Sequence, residues 1–386
     1  MIQQECPNGL TQFSDLEFRR RHFVGWGHTS SMLLRFLGWC LLNASAMAWA
    51  DARWIRVTEF HQFQRESTNV SAWISQECKS SKPFRELVVS WNLRTDADLE
   101  VECQVQTAGN WGRWWHLGHW SPMQSPTRRT SVRGQRDSSG SVDTDTLVLP
   151  TLGQAVRLRV RFSDLTQTPA VLKRMDLALW SPASGPETPM PAAPPTSATQ
   201  AIPTILEVPQ KSQADYPEGV TQWCSPTSLA MLMAYWGRQT AHAEWDLDVR
   251  IVAAGVHDPG WPGTGNWSFN AAYAGSKPGL QAAAVRLNGI ADLEALLNSG
   301  IPVAASVSYA VLKGGPKPEN GDGHLVVVCG LSVSTVSVND PGVRLSRVRR
   351  EFPRAAFQAA WAASHQTVYV VWPEGRALPV SPLGTW

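Results

Sequence analysis

The chain has 386 residues, which is enough for two ordinary domains that each bury a substantial core. Its 34 basic and 32 acidic side chains nearly balance, so the composition favours neither a nucleic acid nor an anionic membrane surface as a partner. Tryptophan is unusually frequent: the 19 residues fall in both halves and are either core aromatics or exposed rings that stack on a ligand.

The first fifty residues predict a leader with a secretory signal. From Met32 the sequence runs MLLRFLGWCLLNASAMAWA, which has an arginine, an apolar stretch and small residues at its end, with cleavage after Ala50. The apolar stretch is too short to span a membrane comfortably. Met32 is therefore the expected start, with a longer signal and a charged leader as the alternative. The mature protein is expected to be secreted, periplasmic or extracellular, with no membrane segment.

Residues 51–182 are predicted to form a tryptophan-rich domain built only from β-strands. In VRLRVRF (156–162) apolar residues alternate with arginines, which is the period of a half-buried strand. Short runs rich in valine, leucine and aromatic residues recur at 84–94, 99–106, 146–150 and 172–180. Several such strands and no helical period favour an antiparallel sandwich or a jelly roll.

Four tryptophans and two histidines crowd into NWGRWWHLGHWSP (110–122). Such a surface could stack on sugar rings or on aromatic peptide side chains, although a buried core with a hydrated edge is the simpler interpretation. His116 and His119 have the spacing of half a metal site, but no cysteine or carboxylate stands at ligand spacing from them. No metal or organic cofactor is therefore expected.

Four cysteines follow residue 50, too few for a disulfide scaffold in a chain of this length: Cys78, Cys103, Cys224 and Cys329. Cys78 and Cys103 could pair, yet Cys103 lies on the apolar side of its strand and is equally well a buried thiol. Cys329 lies within HLVVVCGL and is interpreted as a buried strand thiol.

Residues 183–203 are rich in Pro, Ala, Ser and Thr and predict an extended linker before a second domain, 204–386. That domain mixes helices with strands, which is an α+β order. Leu229, Leu232, Met233 and Trp236 recur with helical spacing and predict a helix over 225–236 that stops at Gly237. The other predicted helices are 291–300 and 352–364, and the predicted strands are 301–309, 324–332 and 335–340.

One cysteine of the second domain has the setting of a nucleophile. Cys224 stands at the start of the helix over 225–236, where unpaired N–H groups and the helix dipole favour a thiolate. A hairpin of 324–332 and 335–340 with its turn near Ser332 would place His324 opposite Asp340, whose carboxylate could orient the imidazole. Asn339 should point to the opposite face, and one β-bulge would exchange its role with that of Asp340.

Four stretches carry a resemblance to a known family: VPQKSQ (208–213), WCSPTSLAMLMAYWG (223–237), DGHLVVVCG (322–330) and VNDPG (338–342). In this order they resemble the papain-like cysteine peptidases that include the bacteriocin-processing, double-glycine leader peptidases, and most of all their secreted, stand-alone branch. The resemblance implies a papain-like fold over about 204–373, with Cys224 as nucleophile, His324 as base and Asp340 as orienter.

The same resemblance implies Gln213 as the oxyanion glutamine, with Gln222 as the competing candidate. Many members of the family have fewer residues between this glutamine and the cysteine than this chain, where 214–221 is long, and they have glycine where Ser225 stands. The N-terminal half is not matched to a named family.

The sequence therefore predicts an exported cysteine peptidase that acts on a peptide or protein through a Cys-His-Asp triad and a thioester. The β-domain is expected to target the enzyme or to bind its substrate, and a glycan or cell-wall ligand is a further candidate partner. Two alternatives are open. One is another acyl transfer, such as amide hydrolysis of cell-wall peptides or transamidation; the other is a non-catalytic peptide- or glycan-binding protein.

Overall fold

The computed structural model describes residues 51–122, 129–182, 205–319 and 321–386. The expected signal sequence, its start at Met32 and the whole predicted linker lie outside these residues. The described residues all fall within one compact unit. They form two antiparallel sheets with six α-helices, so the chain is a mixed α+β protein with a β-rich N-terminal region.

The N-terminal region contributes ten strands that belong to a single hydrogen-bonded sheet. Their order is β1-β10-β4-β9-β3-β2, with β5 and β8 also paired to β9, β6 to β5 and β7 to β8. The strands are β1 (Asp51–Val57), β2 (Gln64–Arg65), β3 (Ala72–Ile74), β4 (Cys78–Leu93), β5 (Leu99–Thr107), β6 (Asn110–Trp120), β7 (Arg136–Asp137), β8 (Gly140–Asp143), β9 (Thr146–Phe162) and β10 (Leu172–Ser181).

Strand β9 organises this sheet because it changes partners along its length. The runs 146–150 and 156–162, which the sequence separates, are the two ends of this one strand. Its first half pairs with β4 and β8, and its second half pairs with β5 and β3. The alternation of VRLRVRF is confirmed: its apolar residues are buried, while its arginines lie on the other face of the sheet. The sandwich or jelly-roll arrangement stays a prediction.

The C-terminal region contributes a sheet of six strands, ordered β11-β16-β12-β13-β14-β15. The strands are β11 (Leu280–Arg286), β12 (Val303–Ser308), β13 (Gly323–Leu331), β14 (Thr335–Asn339), β15 (Arg349–Pro353) and β16 (Thr367–Pro373). The helices are α1 (Cys224–Thr240), α2 (Val249–Val256), α3 (Trp267–Gly275), α4 (Ile290–Asn298), α5 (Tyr309–Leu312) and α6 (Arg354–Ala362). Over the described part of the chain, no helix combines the length and apolar character needed to cross a bilayer.

Helix α1 is buried on every side, whereas the sequence predicts one apolar face. It is buried continuously from Ser225 to Gly237, because β13, α2 and α3 all pack against it. The predicted stop at Gly237 is also wrong, since the helix continues to Thr240. A Cβ atom at Gly237 would lie 2.6 Å from the carbonyl oxygen of His242, so glycine is needed here for close packing rather than for termination.

The hairpin of β13 and β14 exists, but its register differs from the predicted one. Asn339, which a turn centred on Ser332 would pair with Leu325, pairs with Val327, and a bulge separates Val328 from Gly330. On the side of the bulge that carries Val327 and Asn339 the shift is two residues, which keeps these side chains on their predicted faces, whereas beyond the bulge it is three. His324 and Asp340 therefore still face the same side, as diagonal rather than direct neighbours.

The two sheets pack against each other through α3 and β11 on one side and β4 and β10 on the other. The fully buried Asn92 of β4 donates to the carbonyl oxygen of Ala282 (2.9 Å) and accepts from its N–H (2.9 Å). It also donates to the carbonyl oxygen of Ala271 at 3.3 Å. A side chain of the N-terminal sheet thus pairs buried backbone groups of the C-terminal region.

Candidate active site

Cys224 is the first residue of α1, and its side chain is partly exposed. The preceding residue, Trp223, provides no side-chain cap, so the first N–H groups of the helix are left for other partners. The backbone N–H groups of Leu325 and Ser225 both favour the thiolate of Cys224. The helix therefore presents its positive end to the thiol, as the sequence predicts.

His324 lies near the start of β13 and is buried. Its Nε2 atom is 2.8 Å from Oδ1 of Asp340, which follows β14 and is fully buried. The Cys224 thiol lies close enough to His324 for each group to shift the pKa of the other. Since Nε2 faces the carboxylate, Nδ1 is the ring nitrogen left to face the thiol. The structure thus brings together the cysteine, the histidine and the aspartate that the sequence predicts.

The carboxylate of Asp340 has three further partners that the sequence does not indicate. The Tyr309 hydroxyl donates to Oδ2 at 3.0 Å, Arg350 Nη1 donates to the same oxygen at 2.8 Å, and the Gly342 N–H donates to Oδ1 at 2.9 Å. The Tyr309 ring also packs on the His324 imidazole, with centroids 4.4 Å apart. These partners hold the carboxylate in one orientation toward His324.

The electrostatics of these three residues reinforce one another. Burial by itself would raise the pKa of Cys224, but the hydrogen bond and charge of His324 lower it below its ordinary value. Burial would likewise lower the pKa of His324, but hydrogen bonds with Asp340 and Cys224 raise it to about 9. Burial opposes ionisation of Asp340 as well, yet the hydrogen bond with His324 and its charge bring the pKa of Asp340 down to about 2. The arrangement favours a thiolate beside an imidazolium.

Asn339 lies outside this arrangement. Its Nδ2 atom donates to the carbonyl oxygens of Val208 and Pro209, and its Oδ1 atom accepts from Arg349 Nε at 2.7 Å. It is thus on the opposite face from Asp340, as strand alternation predicts.

The two candidate glutamines differ in burial and in contacts. Gln213 is buried, its N–H donates to the Pro341 carbonyl at 3.0 Å, and its Nε2 donates to the Val220 carbonyl at 2.7 Å. Gln213 therefore lies beside the turn that carries Asp340. One of its two side-chain amide hydrogens is used in the bond to Val220, and the second is left for another acceptor. Gln222 has an exposed side chain, and its carbonyl accepts from the Thr264 hydroxyl at 3.0 Å.

Ser225 belongs to a buried polar network behind the site that the sequence does not reveal. Its hydroxyl donates to Asn270 Oδ1 at 3.0 Å and lies 3.0 Å from the Tyr369 hydroxyl. Asn270 Nδ2 in turn donates to the carbonyl oxygens of Thr264 and Asn266, both at 2.8 Å. Ser225, which follows Cys224, is thereby bonded to α3, β16 and the loop before α3.

His116 of the tryptophan-rich segment lies close to two carboxylates of a neighbouring strand, which its spacing in the sequence does not indicate. Glu100 and Glu102 of β5 lie close enough to His116 for the three ligand atoms to fall within 4.8 Å of one another. Arg159 and Arg161 bind the same carboxylates, with Arg159 Nη2 2.8 Å from Glu102 Oε1. Two guanidinium groups thus already neutralise the charge that would attract a cation.

The cysteines outside the site are free thiols. Cys78 is partly exposed, while Cys103 and Cys329 are buried. Cys103 and Cys78 are therefore not paired, and the interpretation of Cys329 as a buried strand thiol is confirmed. Burial raises the pKa of Cys329 to about 12. Of the described cysteines, Cys224 is the one whose pKa is lowered.

Comparison with known proteins adds two family matches. Residues 205–369 match the model of the Peptidase_C39 like family, and residues 43–176 match the model of the Peptidase C39 N-terminal domain. Both models are those of C39-type peptidase domains, and they match the chain on either side of the predicted linker. The chain belongs to the C39-like peptidase family.

Two solved structures are also similar to part of the chain. A C39-like peptidase from Bacillus anthracis is 18% identical over 45% of this chain and 98% of its own, with a TM-score of 0.33. A double glycine motif protease from an AMS/PCAT transporter, solved with its leader peptide, is 17% identical over 46% of this chain and 96% of its own, with a TM-score of 0.29. A comparison with curated proteins found no match.

Proposed function

We propose that this chain is an exported cysteine peptidase that cleaves a peptide or protein substrate through Cys224, His324 and Asp340. The observation that carries this proposal is the buried His324, whose Nε2 atom lies 2.8 Å from Asp340 Oδ1 and whose ring interacts with the thiol at the start of α1. A nucleophile, a base and an orienting carboxylate are the groups that covalent peptide hydrolysis needs. Export is proposed from the signal sequence, and membership of the C39-like family supports the peptidase activity.

In this mechanism the Cys224 thiolate attacks the peptide carbonyl carbon, and the C–S bond forms as the carbonyl oxygen becomes an oxyanion. Collapse of this intermediate breaks the C–N bond, and His324 gives its proton to the leaving amine. Water then attacks the thioester, with His324 as base, and returns the free thiolate and a carboxylic acid. The N–H of Cys224 and the free amide hydrogen of Gln213 are proposed to bind the oxyanion.

Another acyl transfer is the second candidate, because the same thioester can pass its acyl group to an amine instead of water. A non-catalytic binding protein is disfavoured by the lowered pKa of the Cys224 thiol and the ordered carboxylate behind His324. A glycan or cell-wall ligand for the N-terminal sheet stays a prediction.

Labelling with iodoacetamide and a hydrolysis assay with a peptide library test the proposal. Cys224 should be alkylated faster than Cys78, which is also partly exposed but whose pKa is raised. Cys224→Ser should abolish hydrolysis, and the matched Cys78→Ser should retain it. Equal labelling of the two cysteines, or hydrolysis that survives Cys224→Ser, would contradict the mechanism. Added amine acceptors should appear in the products only if the enzyme is a transamidase.

A further inference from the structure

One large aromatic side chain is exposed to solvent on a loop that is hydrogen-bonded to the start of α1. Trp261 is 44% exposed, more than any other tryptophan in the described residues. Its ring lies against Gly263 and Gly265, where added Cβ atoms would approach the ring to 2.6 Å and 3.2 Å. The ring therefore rests on bare backbone, and the part that does not contact these glycines faces solvent. A flat aromatic surface of this kind suits an apolar or aromatic partner.

The loop that carries Trp261 is held in one conformation by its own hydrogen bonds. Asp258 and Gly263 form an antiparallel bridge, with the Asp258 N–H 2.8 Å from the Gly263 carbonyl oxygen. The Asp258 carboxylate is fully buried and accepts from the Gly260 N–H and from Asn266 Nδ2, each at 2.9 Å. These hydrogen bonds hold the backbone of the loop on both sides of Trp261, so binding has to order little backbone there.

The N-terminal region forms hydrogen bonds with this loop and with the end of α2 before it. The Ser131 N–H donates to the Asp258 carboxylate at 2.9 Å, and Arg129 donates to the carbonyl oxygens of His257 (3.1 Å) and Ala254 (2.6 Å). Arg133 Nε donates to the Gly260 carbonyl. A Cβ atom at Gly260 would lie 2.3 Å from the Ser131 carbonyl oxygen, so the two segments touch backbone to backbone.

The other end of the loop meets the start of α1. The Thr264 hydroxyl donates to the Gln222 carbonyl, two residues before Cys224, at 3.0 Å. The Thr264 carbonyl accepts from Asn270, which also binds Ser225. The loop is thereby bonded to the chain on both sides of the proposed nucleophile.

We propose that Trp261 is a substrate-binding and specificity-determining residue, whose ring receives an apolar or aromatic side chain of the peptide beside the scissile bond. The segment from Arg129 to Arg133 fixes the position of the ring, so the N-terminal region contributes to specificity through this contact. The proposal rests on the proposed peptidase function and names the chemistry of the substrate that this site prefers.

The test compares full-length wild type, Trp261→Ala and Trp261→Phe on peptide pairs that differ only in one residue next to the scissile bond, aromatic or leucine against alanine. Trp261→Ala should reduce the preference for the large residue about 10-fold through KM, while kcat for the alanine peptide is retained. Trp261→Phe should keep most of the preference. The iodoacetamide rate of Cys224 should be the same in all three proteins, because the change leaves His324 untouched.

An unchanged preference in Trp261→Ala overturns the proposal. If the wild type cleaves no peptide, the proposed function fails. The binding role of Trp261 is then tested by affinity selection of the same peptides on immobilised wild type and Trp261→Ala. Stronger retention of aromatic peptides by the wild type supports a binding role for Trp261, and equal retention overturns it.

The contact of the N-terminal region with the Trp261 loop is tested by two exposed arginines, one within the segment from Arg129 to Arg133 and one just outside it. Arg133→Ala removes the contact with Gly260, whereas Arg136→Ala removes an exposed guanidinium of β7. Arg133→Ala should weaken the preference for large side chains in the same direction as Trp261→Ala, and Arg136→Ala should leave it as in the wild type. Equal behaviour of the two arginine variants overturns the role given to the N-terminal region.

Discussion

At the scale of single residues, the proposed chemistry depends on the two nitrogens of His324. Asp340 binds Nε2 and is itself held by Tyr309 and Arg350, so the imidazole has little freedom to turn away from the thiol. Each hydrogen bond favours the charged form of its partner, which raises the pKa of His324 and lowers the pKa of Cys224. The neighbours of Cys224, and not its exposure to water, therefore lower the pKa of the proposed nucleophile.

The pH dependence of peptide hydrolysis should be bell-shaped. Activity requires a Cys224 thiolate, so it rises with pH through a pKa that lies below that of an ordinary thiol. It also requires a protonated His324 for the leaving amine, so it falls as pH rises through about 9. The measurement is kcat/KM across this range, with the alkylation rate of Cys224 in parallel. An alkylation profile of His324→Ala that matches the wild type would contradict the ion pair.

Asp340→Asn tests which residue orients the imidazole. The change removes the negative charge beside Nε2, so the high-pH limb of the activity profile should move to lower pH and kcat should fall about 100-fold or more. Asn339→Ala is the matched control on the opposite face: it should lower stability but leave the shape of the profile unchanged. A profile that moves in Asn339→Ala and not in Asp340→Asn would reverse the assignment.

At the scale of elements, both the helix and the hairpin had recognisable sequence signals. The apolar spacing of Leu229, Leu232 and Met233 is enough to predict α1, because side chains three and four apart share a face. The end of the helix is not predictable in this way. Gly237 is a glycine because His242 packs closely against it, and not because the helix stops there. The register of the hairpin is also not predictable from the local pattern. The pattern does not indicate the bulge between Val328 and Gly330 that shifts the pairing of the two strands.

The substitution Asn266→Ala tests the start of α3, which links the Trp261 loop to the proposed active site. Its side chain caps α3 by accepting from the Phe269 N–H at 3.0 Å and also donates to the buried Asp258. Asn266→Ala removes the cap and leaves a buried carboxylate oxygen short of a donor, so the free energy of unfolding should fall by about 2–4 kcal/mol. Asp248→Ala removes the exposed cap of α2 and should cost only about 1 kcal/mol. Urea unfolding measures both, and equal losses would contradict the buried role.

At the scale of the whole molecule, charged and aromatic groups join the two sheets. His365 has no partner that the sequence suggests, yet it stacks on Trp180 with centroids 4.0 Å apart and lies 3.2 Å from Glu86. Glu86 also pairs with the buried Arg286 at 2.7 Å. A guanidinium buried in this way needs the carboxylate of the other sheet, so we expect the two regions to unfold together.

Asn92→Ala tests this cooperativity. The change leaves the N–H and carbonyl oxygen of Ala282 unpaired in the interface, so the free energy of unfolding should fall by about 1–3 kcal/mol. Tryptophan fluorescence and far-ultraviolet circular dichroism should give one coincident transition in the wild type and in the variant. Two separate transitions in the wild type would show that the halves are independent domains joined by the linker.

The helices α2 and α3 and the strands β6, β11 and β16 were not predicted from the sequence. The sequence by itself determined the class of the chain, the sites of α1, α4 and α6 and of several main strands, and the residues of the proposed triad. These follow from local periodicity and from motif order, which the printed residues contain in full. Only the tertiary structure decided the partners of Asp340, the all-round burial of α1 and the contact of the N-terminal region with the Trp261 loop. These depend on residues far apart in the chain, such as Ser131 and Asp258, and no local pattern records which distant backbone a side chain will meet.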